Sequence, residues 1–259
     1  MQQCMTHISN TIITINKLTK INIMLEYKPV KNLLSKGGNT KTDKNEFKTY
    51  NLSLSPYTHN KKGVNVCPKA SKGCALACLV QSGRGKFKNV SEARINRTNY
   101  YLYNKQMFLF QLANEINQIA STGENVALRL NTFSDIDFIY QLKKHCNVDL
   151  LTDPLYKNII VYDYTAIIGK VKKYLGTRYH LTLSRKEDNE HEIMEALNTG
   201  CNVSAVFMDK LPKTYKGFKV VDGDKTDLEM TKYKNVVLGL LAKGTEAKQD
   251  QTGFIIKNK

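Results

Sequence analysis

Ile159-Ile160-Val161-Tyr162-Asp163-Tyr164-Thr165 is the stretch that decides the fold. It is β-branched and aromatic, short, and ends in polar groups, which is the pattern of a buried strand. Residues 166–174 follow with helical spacing, and Tyr179-His180-Leu181-Thr182-Leu183-Ser184 is the next strand. A strand, a helix and a strand in this order need a crossover connection, so the two strands run parallel. The same unit recurs on both sides. Val126-Ala127-Leu128-Arg129-Leu130-Asn131 precedes a helical pattern at 136–144, and a helix at 190–198 leads into Val203-Ser204-Ala205-Val206-Phe207-Met208. Strands at 218–222 and 236–240 follow with no helical pattern to separate them. A strand over 50–56, stopped at Pro56, and one long helical pattern over 90–120 complete the set. The expected fold is α/β with a mainly parallel sheet, an open or incomplete (β/α) barrel, with an antiparallel edge where the last helix is missing. No repeat and no linker divides the chain, so residues 24–259 read as a single domain. Residues 1–23 carry only Lys17 and Lys20 as charges and read as a dispensable extension, with Met24 an alternative start.

The strands end alike. Asn131 with Ser134 and Asp135, Asp163 with Thr165, Ser184, and Asp222 with Asp224 all stand at or just past carboxyl ends. In parallel α/β sheets the ligand site lies at that edge. These residues are therefore the expected cavity lining, with Arg84, Arg94 and Arg129 supplying positive charge for a carboxylate or phosphate. The competing reading is that strand ends are polar because they begin turns, and for Asp222-Gly223-Asp224 the turn is the more natural one.

The chain has 259 residues, 39 Lys and Arg against 23 Asp and Glu, and a formal charge of +16. A 41% apolar share excludes a disordered chain, and no apolar run is long enough to span a membrane as a helix. The charge favours phosphate-bearing partners, nucleic acid included. The lysines are spread along the whole chain, however, and no basic block marks a nucleic-acid arm.

The strongest local signal is Cys67-Pro68-Lys69-Ala70-Ser71-Lys72-Gly73-Cys74-Ala75-Leu76-Ala77-Cys78, on a loop after the first clear strand. No secretion signal precedes it, so these cysteines belong to a reducing cytoplasm and read as metal ligands before disulfides. Three thiolates without an obvious fourth suit a [4Fe-4S] cluster with one open iron. Zinc completed by His or water is the alternative. His59, Cys146 and Cys201 are the candidates for a fourth ligand. Downstream, Ser82-Gly83-Arg84-Gly85 is a basic turn able to meet an anion.

Several blocks occur in order: Leu33-Leu34-Ser35-Lys36-Gly37-Gly38-Asn39, the Ser55-Pro56 turn with the three-cysteine loop, Arg129-Leu130-Asn131 with Ser134-Asp135-Ile136, and Tyr162-Asp163-Tyr164-Thr165. Leu181-Thr182-Leu183-Ser184, Val221-Asp222-Gly223-Asp224 with Asp227, and Gly239-Leu240-Leu241-Ala242-Lys243-Gly244 complete the series. The set resembles the phage gene-product-88-like family over about residues 25–254. That resemblance implies a protein of a phage or mobile element, at work in the host cytoplasm, and names no activity. A more distant similarity is to radical S-adenosylmethionine enzymes, which carry a three-cysteine loop after the first strand of a partial barrel. It implies a [4Fe-4S] cluster on Cys67, Cys74 and Cys78, with S-adenosylmethionine on the open iron. The CxxxxxxCxxxC spacing departs from the usual CxxxCxxC, and Ala77 stands where an aromatic residue is expected. The sequence thus predicts an iron–sulfur protein with redox or radical chemistry, its partner a small-molecule ligand or an electron donor and no membrane. The alternative is a zinc-stapled basic protein that binds nucleic acid.

Overall fold

The computed structural model describes residues 29–37, 47–57, 59–79 and 83–257. The extension at 1–23 lies outside the described residues, as do Gly38 and Asn39. The strands are β1 (Leu34–Lys36), β2 (Lys48–Leu52), β3 (Val126–Arg129), β4 (Ile159–Thr165), β5 (Tyr179–Ser184), β6 (Asn202–Phe207), β7 (Thr214–Tyr215), β8 (Phe218–Asp222), β9 (Val237–Leu241) and β10 (Ile255–Ile256). The helices are α1 (Lys72–Leu76), α2 (Lys88–Tyr103), α3 (Lys105–Ser121), α4 (Phe138–Cys146), α5 (Ile168–Tyr174), α6 (Glu190–Asn198) and α7 (Thr245–Lys248).

The ten strands form one sheet in the order β1-β2-β3-β4-β5-β6-β9-β8-β7, and β10 pairs with β6 beside the end of β5. From β2 to β8 every pairing is parallel, and the sheet does not close. The antiparallel pairs stand at the two margins, β1 on β2 and the β7–β8 hairpin. The expected α/β class and parallel core are therefore present, but β8 and β9, which no helical pattern separates, pair in parallel, and the antiparallel pairing at that margin is the β7–β8 hairpin. A one-turn 3-10 helix, Asp227–Thr231, connects β8 to β9. The helical pattern of 90–120 is two helices. It breaks at Asn104, whose backbone (φ −127°, ψ 47°) leaves the helical region. Asparagine, which satisfies itself locally, suits such a break.

Parallel register sorts the side chains onto two faces. Residues aligned across strands share a face, so Val126, Leu128, Ile159, Val161, Asp163 and Leu181 lie on one side. Arg129, Tyr162, Tyr164, Thr182 and Ser204 lie on the other. The first face packs against the helices. Phe108, Leu109, Leu112 and Ile116 of α3 and Phe138, Ile139 and Leu142 of α4 are buried with β3 and β4. Val171 of α5 and Ile193, Ala196 and Leu197 of α6 are buried with β5, β6 and β9. On the opposite face Leu228 and Met230 of the 3-10 helix cover Ala127, Tyr162 and Leu238. The sheet thus carries its helices on one side and a polar, Tyr-bearing surface on the other, with the carboxyl ends of β2 to β6 at one edge.

Candidate cysteine site

Between β2 and α2 the chain is held by a few specific bonds. The Ser55 amide donates to Thr98 Oγ1 (2.7 Å), and that hydroxyl donates to the Arg94 carbonyl (2.8 Å). The turn is thereby tied to α2. Tyr57 follows with φ 56°, a left-handed backbone that a bulky residue adopts only when its surroundings impose it. Its hydroxyl reaches the Cys74 carbonyl at 3.5 Å. Further along, the Asp135 amide donates to the Val66 carbonyl (2.8 Å), and the Cys67 thiol donates to the Phe133 carbonyl (3.2 Å). The segment after β3 therefore braces the first cysteine.

The second and third cysteines ride on and just past α1. Ser71 caps that helix, its Oγ accepting from the Cys74 amide at 3.2 Å. Glu187, two residues beyond the Ser184-Arg185 corner after β5, clamps the same turn. Its carboxylate accepts from Ser71 Oγ (2.6 Å) and from the Gly73 amide (2.7 Å). Only glycine fits at 73, because a Cβ there would stand 2.2 Å from Thr252 Oγ1 and 2.4 Å from Phe254 Cβ.

The three thiols are half-buried, and Cys67 and Cys74 both feel Cys78. Burial pushes Cys67 up, and Cys78, Asp135 and Cys74 push it further. Cys74 is raised to about 12 by burial and then by Cys78, with Lys186 opposing and Glu187 and Asp135 adding. Tyr57 is raised by burial and then by the neighbouring Cys78. Cys67 and Cys74 thus hold their protons at neutral pH unless positive charge is brought among them. As donors they match a thiolate-bound metal in kind. Among the described residues, no group of three His, Cys, Asp or Glu side chains is already arranged as a metal's ligand set.

The expected cavity residues divide. Asn131, Ser134, Asp135, Asp163 and Thr165 come together beneath the cysteine stretch, all buried. Asn131 receives the Ser134 hydroxyl (2.9 Å) on its Oδ1 and gives its amide and Nδ2 to Asp163 (2.8 and 3.1 Å). Asp135 accepts from Thr165 Oγ1 (2.8 Å), the Ala166 amide (2.8 Å) and the buried ammonium of Lys170 (3.2 Å). Asp163 also accepts from Tyr179 (2.7 Å), and its pKa is raised because burial outweighs Lys170 and Arg129. Arg129, on the face opposite Asp163, pairs with Asp227 at 3.3 Å and stands 5.0 Å from the Tyr164 ring centre. Arg94 is buried, bonds the Gly85 carbonyl (2.8 Å), and lies over Phe133 at 5.4 Å.

Ser184 keeps its carbonyl on the Asn189 side chain (3.0 Å) at the end of β5. Asp222 and Asp224 form a turn, the Asp224 amide bonding Asp222 Oδ1 (2.8 Å), while Asp224 holds Lys243 (2.6 Å). Arg84 falls in the one-turn 3-10 helix Gly83–Lys86, and its side chain lies outside the described residues. His59 is exposed, edge-on to Tyr57. Cys146 and Cys201 pack in apolar clusters away from the loop. Tyr57, Lys170, Lys186, Glu187 and Asp227 were not singled out as site residues from the sequence. Lys186 and Glu187 follow a strand's carboxyl end, the rule that found the others.

The gene product 88 family model matches residues 32–258, nearly all of the chain and every element just described. The chain belongs to the gene product 88 family. No curated protein and no solved structure matches it. The family match spans the cysteine stretch, its Glu187 clamp and the C-terminal segment that Gly73 touches, so these parts belong to one family unit. Among the described residues no helix is long and apolar enough to cross a membrane.

Proposed function

We propose that this member of the gene product 88 family is an iron–sulfur protein of a phage or mobile element, at work in the host cytoplasm. Cys67, Cys74 and Cys78 would hold a [4Fe-4S] cluster with one iron left open to a small molecule, S-adenosylmethionine being the first candidate. The observation that carries the reading is proximity: three thiols come from one short stretch at the carboxyl edge of an open parallel sheet, and Cys78 lies close enough to raise both Cys67 and Cys74. Thiolates that repel one another are stabilised together once a cation sits among them. In this reading the sheet is the wall of an incomplete (β/α) barrel, with the cysteine loop at its mouth after the first parallel strand. A bound cluster supplies one-electron chemistry. The chain's own groups seat it: Glu187 and Ser71 fix α1, Asp135 and Phe133 brace Cys67, and Arg94 and Lys186 bring positive charge alongside. Cys67 must give up its bond to Phe133 for its sulfur to bind metal.

The test is metal and sulfide content with an ultraviolet–visible spectrum on anaerobically prepared protein, beside Cys74→Ala. About four iron and four sulfide per chain, with a broad band near 400 nm that the variant loses, is the expected result. Stoichiometric zinc, or no metal in colourless protein, overturns it.

A zinc-stapled nucleic-acid binder is the second reading, and one observation favours it. Residues 47–91, which include all three cysteines, hold eight basic side chains and no acidic one. Such a stretch favours phosphate backbones. Salt-sensitive binding to DNA or RNA by a zinc-loaded protein would establish it.

A further inference from the structure

On the segment that packs against α1, Arg185, Tyr215, Lys216, Asp250, Ile255 and Lys257 help to line a cavity of about 430 Å³. That volume lies within the range of small-ligand pockets. Its charge is uneven. Arg185 gives Nη1 to the carbonyls of Gly253 (2.5 Å) and Phe254 (2.6 Å), and its Nε is buried with no hydrogen-bond partner. Neutral carbonyls orient a guanidinium without cancelling its charge. Among the described residues, Lys257 meets the neutral Gln251 side-chain oxygen, at 3.3 Å. Lys216 pairs with Glu190.

The one acid of the lining, Asp250, is already in use. Its Oδ1 accepts from the Thr252 amide (3.0 Å) and hydroxyl (2.6 Å), and its Oδ2 from the Ile255 amide (2.9 Å). Two cations therefore face the cavity without a counter-ion among the described residues. The rest of the wall is flat and apolar. The Tyr215 ring, held edge-on by Phe207 at 5.7 Å, lines it together with Ile255 and Ile256.

We propose that this cavity binds a nucleoside monophosphate, its phosphate on Arg185 and Lys257 and its base on the Tyr215 side. Guanidinium and ammonium groups without carboxylate partners are the natural donors to a phosphate, and a tyrosine ring is the natural platform for a base. The site does not depend on the metal reading.

The test is calorimetric titration of the full chain with adenosine monophosphate, with adenosine and with inorganic phosphate. Saturable binding of the nucleotide, weakened about tenfold in Lys257→Met and in Arg185→Met, is the expected result. Lys257 is exposed, so its variant decides the matter if Arg185→Met fails to fold. Absence of nucleotide binding, or binding unchanged in Lys257→Met, overturns the proposal. So does inorganic phosphate binding as tightly as the nucleotide, which would leave a bare anion site.

Discussion

The Glu187 carboxylate accepts the Gly73 amide at 2.7 Å, joining the corner after β5 to the cysteine-bearing helix α1. The same carboxylate accepts Ser71 Oγ, so one side chain from the sheet edge sets both ends of the first helical turn. Glu187→Ala leaves the amide and the hydroxyl without their partner. It should cost about 1–3 kcal/mol in urea unfolding. Glu187→Gln, which still accepts, should cost less.

Gly73→Ala should be worse than its size implies. The added methyl meets Thr252 Oγ1 at 2.2 Å and Phe254 Cβ at 2.4 Å, and the second of these is not the end of a flexible side chain. Overpacking of this kind costs about 1–3 kcal/mol, which for a chain of this length lowers the melting temperature by several degrees. Adding Thr252→Ala should recover only part of the loss, because Phe254 remains.

Arg129 holds two carboxylates at once, Asp227 at 3.3 Å and Asp163 at 3.9 Å. Both acids are buried. Arg129→Met removes the cation beside both, leaving Asp163 only the neutral donors Asn131 and Tyr179 within hydrogen-bond reach among the described residues, and should cost about 3–5 kcal/mol in chemical denaturation. If the loss stays below about 1 kcal/mol, other groups balance these acids, Lys170 first among them for Asp163.

Asp149 ties the turn after α4 to Lys143 (2.7 Å) and Thr152 (2.6 Å), which depresses its carboxyl from 3.8 to about 2. The native state therefore binds this proton less readily than the unfolded chain. The stabilisation is complete above pH 3.8 and fades as pH falls toward 2. Asp149→Asn should be less stable than the parent at neutral pH, and the gap should narrow across that window. A gap that stays constant down to pH 2 would mean that the carboxylate's charge is not what stabilises the turn.

The parallel core was legible because its strands are apolar runs separated by helical spacing, and 159–165 and 190–198 lie where the sequence placed them. The break at Asn104 was not, since apolar spacing continues through it and only a local backbone departure divides α2 from α3. Polar strand ends flagged Asn131, Asp135 and Asp163, but alternation along β4 decides which face each side chain takes. That alternation puts Asp163 among the helices and Tyr162 and Tyr164 on the opposite side. Glu187 was harder to see, because its role depends on α1 folding back across the sheet edge, a contact between residues far apart in the chain. Asp222 and Asp224 show the reverse: the Asp-Gly-Asp pattern reads as a turn and is one.

The seat of Gly73 has a consequence for how the protein is made. Thr252 and Phe254, the residues that close over it, leave a ribosome long after the three cysteines. Domains fold as their parts become available, so the cysteine helix has no finished bed until the segment around Thr252 has been made. A product cut short before residue 252 would carry all three thiols and lack the surface that positions them.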